Sequence, residues 1–285
     1  MSSSRDNKQH FALYFLGSIT PIGFFLNAFA LWVFFRRHNL RSPNVIFMVN
    51  LAVSDLVLVC SLALRVHYYA TSSWLLGCQM SKCLFSVNFY SSSVFITFIS
   101  VDRLLAIVYP LRSRHLRTAC NATKAAVTVW LFVIILTVPQ HIILETYKKQ
   151  QNQSICFKSL NHTNHTQLEV ETFYGSFKFT LVLILLIINI VSTFLVSLTL
   201  HRNRNVLAEI NNKVNVMLLF IMSLVMFIVC FVPGAIRFFF SSKRLHMKCF
   251  AAVNCCLDPV LYYFSLDSFW KKKHERNEMR PSNVI

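Results

Sequence analysis

Polar residues drop out of the chain over seven stretches, 11–35, 44–69, 78–108, 125–147, 173–200, 214–240 and 246–265. Most reach the roughly 20 residues that, at about 1.5 Å each, cross a hydrocarbon layer about 30 Å thick. The pattern predicts an all-α membrane protein, a bundle of seven transmembrane helices. The first stretch follows a polar one, MSSSRDNKQH, with no basic leader and no small-residue cleavage site, so it reads as a retained helix rather than a removed signal peptide. The division that follows is an N-terminal segment over 1–10, a helical domain over 11–265 and a tail over 266–285. In the tail, Ser265 to Ser268 can cap a short amphipathic helix running through Phe269 and Trp270 to Lys273, lying on the inner leaflet.

Composition agrees with a lipid solvent. Hydrophobic residues make up 55% of the 285 and charged residues 14%, too apolar a balance for a soluble domain of this length. The basic residues are unevenly shared among the connecting segments. With the N-terminus outside, the inner segments (Arg36 to Arg41, Arg112 to Lys124, Arg202 to Lys213, Lys271 to Arg280) hold fifteen Lys and Arg against eight in the outer ones. Positive charge favours the cytoplasmic side, which puts the N-terminus out and the tail in. The net charge of +17 then speaks for anionic membrane lipid rather than nucleic acid, for which no module is visible. Three glycosylation sequons, at Asn152, Asn161 and Asn164, fall in the fourth-to-fifth connection, outside in this orientation; a fourth, at Asn121, falls inside. Cys78 heads the third span on the outer side and Cys156 lies in the sequon-bearing loop, where oxidation is permitted; a bridge between them would pin that loop across the helix mouth.

Charges inside the spans are the candidates for function. A charged side chain at mid-bilayer costs on the order of 2.5 to 3.5 kcal/mol and normally faces the bundle interior. Such places are Asp55 in NLAVSDL, the pair Asp102 and Arg103 in FISVDRLLAIV, Asp258 in LDPVLYY, Arg65 in LALRVHYY and Arg237 in PGAIRFFF. Arg103 is close enough to the cytoplasmic end of its helix that it could instead snorkel to the surface.

These residues resemble the rhodopsin-like G-protein-coupled receptors over nearly the whole chain. The resemblance rests on Asn27; Leu51, Ala52 and Asp55; Cys78; Asp102, Arg103 and Leu104; Trp130; Phe227, Cys230, Phe231 and Pro233; and Asp258, Pro259 and Tyr262, in order and on the right spans. Within the family, LDPVLYY, NLAVSDL and YPLRSRHLR look like the purinergic, hydroxycarboxylic-acid and lysophospholipid branch. The resemblance implies a receptor that binds an extracellular acidic small molecule or lysolipid and activates a heterotrimeric G protein, of inhibitory or 12/13 type. Its switch would comprise Asp102, Arg103, Phe231, Pro233 and Tyr262, with Asp102 restraining Arg103 at rest, Pro233 and Pro259 breaking their helices and Tyr262 swinging inward. Leu104 stands where the family has tyrosine. The resemblance also places Asp55, Asn88, Ser92, Asn254 and Asp258, with Asn27, around one interior space. Two carboxylates there need a cation or donors to ionise together, so the space fits either a sodium ion or a hydrogen-bonded polar core.

For the ligand, the outer half of the bundle offers Arg65, His67, Lys178 and Arg237, cations suited to carboxylate or phosphate. Snorkelling or bonds to backbone carbonyls are the bland alternative for Arg65 and Arg237. Relatives anchor acids from two positions that here hold Phe89 and Gln140. Other departures are the 26-residue step from Pro233 to Pro259, which shortens the sixth-to-seventh connection, and a fifth span with neither a proline nor an inner tyrosine. These features admit a second reading, a non-signalling or partner-dependent receptor-like protein. An enzyme is not expected, since no nucleophile, base and metal set converges at one depth. A transporter would show inverted repeats or glycine-broken helices, and the chain has five glycines and neither feature.

Overall fold

A computed structural model describes residues 2–37, 42–71, 75–150, 165–202, 210–236 and 249–262, all helical apart from short turns. In chain order the helices are α1 (Ser2–Arg37), α2 (Pro43–Thr71), α3 (Leu75–Val108), α4 (Ala119–Gln150), α5 (His165–Arg202), α6 (Ile210–Cys230), α7 (Val232–Ile236) and α8 (Cys249–Tyr262). The fold is a transmembrane bundle. Six helical stretches are long and apolar enough to cross a membrane, α6 and α7 together forming the sixth, Val216–Ile236. The seventh expected span is represented by α8, which packs against α1 and α2.

The helix ends follow from local chemistry. Pro43 occupies the first position of α2, where its missing N–H costs nothing. At the other end of the third span, Val108 stops α3 two residues before Pro110. The Thr118 hydroxyl accepts the Asn121 N–H at 3.3 Å and caps α4. α1 begins at Ser2 and so runs on through the polar segment that precedes its membrane-length part, Leu13–Arg36. No proline or glycine precedes Gly17, and a nucleated helix extends cheaply through such a stretch.

Burial sorts the bundle into centre and rim. The apolar window of α2 is 67% buried, whereas that of α4 is 17% buried. α3 is the hub, touching α2, α4, α5 and α6. On the rim, Phe25, Phe29, Trp32, Ile135 and Phe194 stand exposed. In water such a surface would aggregate; in a bilayer it is solvated by acyl chains.

Candidate functional site

Prolines decide where the inner polar core is tied. Pro259 lies inside α8 without ending it, and having no N–H it leaves the Cys255 carbonyl without its helical donor. Asn27 fills that place: its Nδ2 donates to Cys255 O at 2.7 Å and to Gly23 O at 3.0 Å, joining α1 to α8. The Gly23 position makes this approach possible, because a Cβ there would lie 2.7 Å from Cys255 Sγ. Pro233 likewise sits where the sixth span divides at Phe231 into α6 and α7, with Ala235 N still donating to Phe231 O at 2.9 Å.

Around this joint the expected interior constellation is assembled. Asp55, Asn88, Ser92, Asn254 and Asp258 are all buried. Asn254 Nδ2 donates to Asp258 Oδ2 at 2.8 Å and to Asp55 Oδ1 at 3.4 Å; Asn88 Nδ2 donates to Asp55 Oδ1 at 3.3 Å and to Ser92 Oγ at 2.9 Å. Sequence reasoning missed Ser54 and Ser91, whose hydroxyls lie 2.5 Å apart and extend the network between α2 and α3. Serines in a helix interior give no periodic signal, so nothing in the sequence flagged them. Four oxygens of this core are buried without a hydrogen-bond partner among the described residues: Asp55 Oδ2, Asp258 Oδ1, Asn254 Oδ1 and Asn27 Oδ1.

Toward the C-terminal end of α8, Tyr262 packs edge-on against Phe34 at 5.4 Å and, with Ser223 and Met48, lines a small cavity between the helices. Its hydroxyl is buried and makes no hydrogen bond among the described residues. Across the same level Ser100 and Ser223 bring their hydroxyls to 3.3 Å, joining α3 to α6. Asp102 departs from expectation. Both of its oxygens are taken by Arg117, from Nε at 2.8 Å and from Nη2 at 3.2 Å, so the pairing that fills its carboxylate runs to the following loop. Arg117 figured in the sequence only as one of the cytoplasmic positive charges, because its partner lies fifteen residues away with no helical register between them.

The half of the bundle expected to face outside brings together two of the expected ligand cations. Arg65 is buried on α2, with Nε donating to Ser81 Oγ at 3.4 Å and its guanidinium carbon 4.9 Å from the Phe85 ring centroid. Lys178 on α5 places Nζ 3.3 Å from the centroid of Phe89, the ring that replaces the family's arginine. Phe85 and Phe89 are four residues apart, so the two cations rest on successive turns of one face of α3, about 6 Å apart in depth. His67 is not part of this group: it is exposed, and two residues from Arg65 means roughly 200° around α2. Lys82 is bridged to Glu145 at 3.5 Å, and Gln79 donates to the same carboxylate at 2.8 Å. Below the cations, Phe89 meets Phe231 edge-on at 5.4 Å, and Phe231 meets Phe227 at 5.1 Å. An aromatic stack thus runs from the outer site to the break at Pro233.

Cys78 is disulfide-bonded. Cys156, Asn152, Asn161, Asn164 and Arg237 lie outside the described residues, as does the amphipathic tail. Trp130 Nε1 donates to Asn50 Oδ1 at 2.9 Å, tying α4 to α2 at the tryptophan on which the resemblance partly rests.

The comparisons with known proteins agree with this arrangement. Lysophosphatidic acid receptor 4 of Homo sapiens is 33% identical over 286 residues, covering 93% of this chain and 76% of that receptor. Lysophosphatidic acid receptor 6 of Mus musculus is 32% identical over 293 residues, covering 92% and 83%. Cysteinyl leukotriene receptor 1 of Sus scrofa is 32% identical over 285 residues, covering 92% and 82%. Residues 26–262 match the family described as 7 transmembrane receptor (rhodopsin family), and the chain belongs to it: a multi-pass receptor of the plasma membrane and not an enzyme.

Proposed function

We propose that the protein is a receptor for an extracellular acidic lipid of the lysophospholipid class that activates a heterotrimeric G protein of inhibitory or 12/13 type. The observation that carries the reading is the pair of cations, Arg65 and Lys178, held over Phe85 and Phe89 in a helix bundle. A phosphate or carboxylate with an acyl chain matches such a site, since the headgroup meets two positive charges and the chain meets aromatic and lipid surface. The relatives named for lysophosphatidic acid support the same class. Orientation in this reading follows the charge asymmetry, with the N-terminus outside. The cations lie on the outer side and Asp102, Arg103 and Tyr262 on the inner side, so the Phe89, Phe231 and Phe227 stack connects ligand to switch.

The interior core also fits a sodium ion. Two carboxylate and two amide oxygens are buried there with lone pairs unused, a hard donor set for a hard monovalent cation. Asp55 and Asp258 would supply the charge and Asn254 and Asn27 neutral oxygens, with Asn88 and Ser92 orienting Asp55 by hydrogen bonds. Bound sodium would neutralise the paired carboxylates and hold α1, α2 and α8 together.

The test is to express the chain with a panel of G-protein activation sensors and apply lysophosphatidic acid and acidic metabolites, beside Arg65→Ala, Lys178→Ala and Arg103→Ala. A lysolipid response that weakens tenfold or more in the first two variants and vanishes in the third is expected. Surface expression without a response to any acid, or a response indifferent to both cations, overturns the reading and favours a non-signalling or partner-dependent protein.

A further inference from the structure

Ser61 and Arg65 stand one turn apart on the face of α2 that meets α3, and Ser81 and Phe85 stand one turn apart on the face of α3 opposite them. The two serines are fully buried and exchange hydrogen bonds across the interface. Ser61 Oγ donates to Ser81 O at 2.8 Å, and Ser81 Oγ donates to Ser61 O at 2.9 Å. A hydroxyl has one proton, and that of Ser81 is committed to the Ser61 carbonyl, so toward any further group Ser81 Oγ can only accept. Arg65 Nε is the donor, at 3.4 Å. Helical side chains lean back toward the N-terminus of their own helix, which carries Arg65 toward Ser61 and so past Ser81, before its guanidinium carbon comes to rest 4.9 Å from the Phe85 centroid. Arg65 is 3% exposed, so its direction is set by neighbours rather than by solvent. Phe85 lies beneath the guanidinium and Ser81 takes its Nε edge.

We propose that Ser81 is a positioning residue for the anion site: its hydroxyl, donated to the Ser61 carbonyl, accepts from Arg65 Nε and turns the terminal Nη1 and Nη2 edge of the guanidinium toward the ligand headgroup. The proposal rests on the lysolipid reading above and divides the work of its two cations. An arginine held at Nε meets two oxygens of a phosphate or carboxylate through its terminal edge, as a fork of set direction. Lys178, a compact charge on a flexible stem, adds attraction without direction. The orientation of the headgroup is therefore a property of the α2 and α3 interface, and Ser81 is the side chain through which α3 imposes it.

Ser61→Ala is the matched control. It removes one bond of the serine pair, as Ser81→Ala does, but leaves the Ser81 hydroxyl in place for Arg65. G-protein activation by lysophosphatidic acid is read in cells expressing the full chain. Ser81→Ala lowers potency about fivefold or more, as loss of a hydrogen bond to a charged group does, whereas Ser61→Ala stays within about twofold of the parent. Beside Arg65→Met, which has no N–H to give, Ser81→Ala lowers potency no further; beside Lys178→Ala its full loss remains. Equal losses in Ser61→Ala and Ser81→Ala, or a loss from Ser81→Ala that survives Arg65→Met, overturns the proposal. Apparent unfolding midpoints of the ligand-free chain in detergent give a second arm. Ser81→Ala lowers the midpoint more than Ser61→Ala in the parent, and the two lower it equally beside Arg65→Met. A difference that is missing in the parent, or that persists without the arginine, overturns the hold on Nε. If the parent itself answers no lysolipid, the lysolipid reading fails, while the midpoint arm still decides whether Ser81 holds Arg65.

Discussion

Gly234 follows Pro233 by one residue, and a methyl group there would lie 2.5 Å from Phe89 Cε2. Gly234→Ala forces the ring to move, and overpacking of this kind costs about 1–3 kcal/mol. The expected outcome is an apparent unfolding midpoint lower by several degrees, at about 2–4 °C per kcal/mol for a chain of this size, with Phe89→Leu restoring most of it. Glycine at this position was legible only as a letter; the ring that needs the space is on α3, far away in sequence. Asp55 shows the opposite case. An acid in a 19-residue apolar window is visible from the sequence, and the resemblance alone placed Asp258 around the same space, but the buried oxygens on which the cation proposal rests exist only in the folded core. The sodium reading therefore predicts that sodium chloride raises the unfolding midpoint above that in potassium chloride at equal ionic strength, and that Asp55→Asn abolishes the difference. A midpoint blind to the cation in the parent would leave a hydrogen-bonded polar core instead.

Six apolar spans appear as long helices and the seventh as the shorter α8, because outside a closed β-barrel only a helix satisfies backbone groups in hydrocarbon, and their existence needs no tertiary information. Their ends do. α4 and α5 extend past the apolar windows at both sides, and α1 absorbs the polar N-terminal segment, because helices continue until a proline, glycine or cap stops them rather than where hydropathy falls. Helix 8 illustrates what joins the elements. Pro259 withdraws the donor for Cys255 O and Asn27 replaces it from α1. Asn27→Ala should leave that buried carbonyl unsatisfied at a cost of about 1–3 kcal/mol, seen as a lower unfolding midpoint. Pro259→Ala restores the N–H within the helix, so the double variant should lose less than Asn27→Ala alone; equal losses would show that the carbonyl is satisfied otherwise. On α5 the missing proline has a counterpart in Asn189, buried, whose Nδ2 donates to Thr97 Oγ1 at 2.8 Å and fastens α5 to α3.

For the whole molecule, orientation and signalling are tested together. Mapping should find sugars on Asn152, Asn161 and Asn164, none on Asn121, and the C-terminus on the opposite side of the bilayer from the sugars. A tail and sugars on one side would dismantle both the ligand site and the switch as assigned. Hydropathy and the ordered motif residues from Asn27 to Tyr262 were by themselves enough to determine a transmembrane bundle of the rhodopsin-like class, since solvent transfer acts locally and leaves its mark residue by residue. Which charges meet was decided only by the packing of the helices. Arg65 and Lys178 on one face of α3, His67 turned away from them, Lys82 given to Glu145 and Asp102 given to Arg117 are pairings between distant segments. In a low-dielectric interior a pairing depends on distance and aim to within an ångström, and those are properties of the folded bundle that no spacing along the chain encodes.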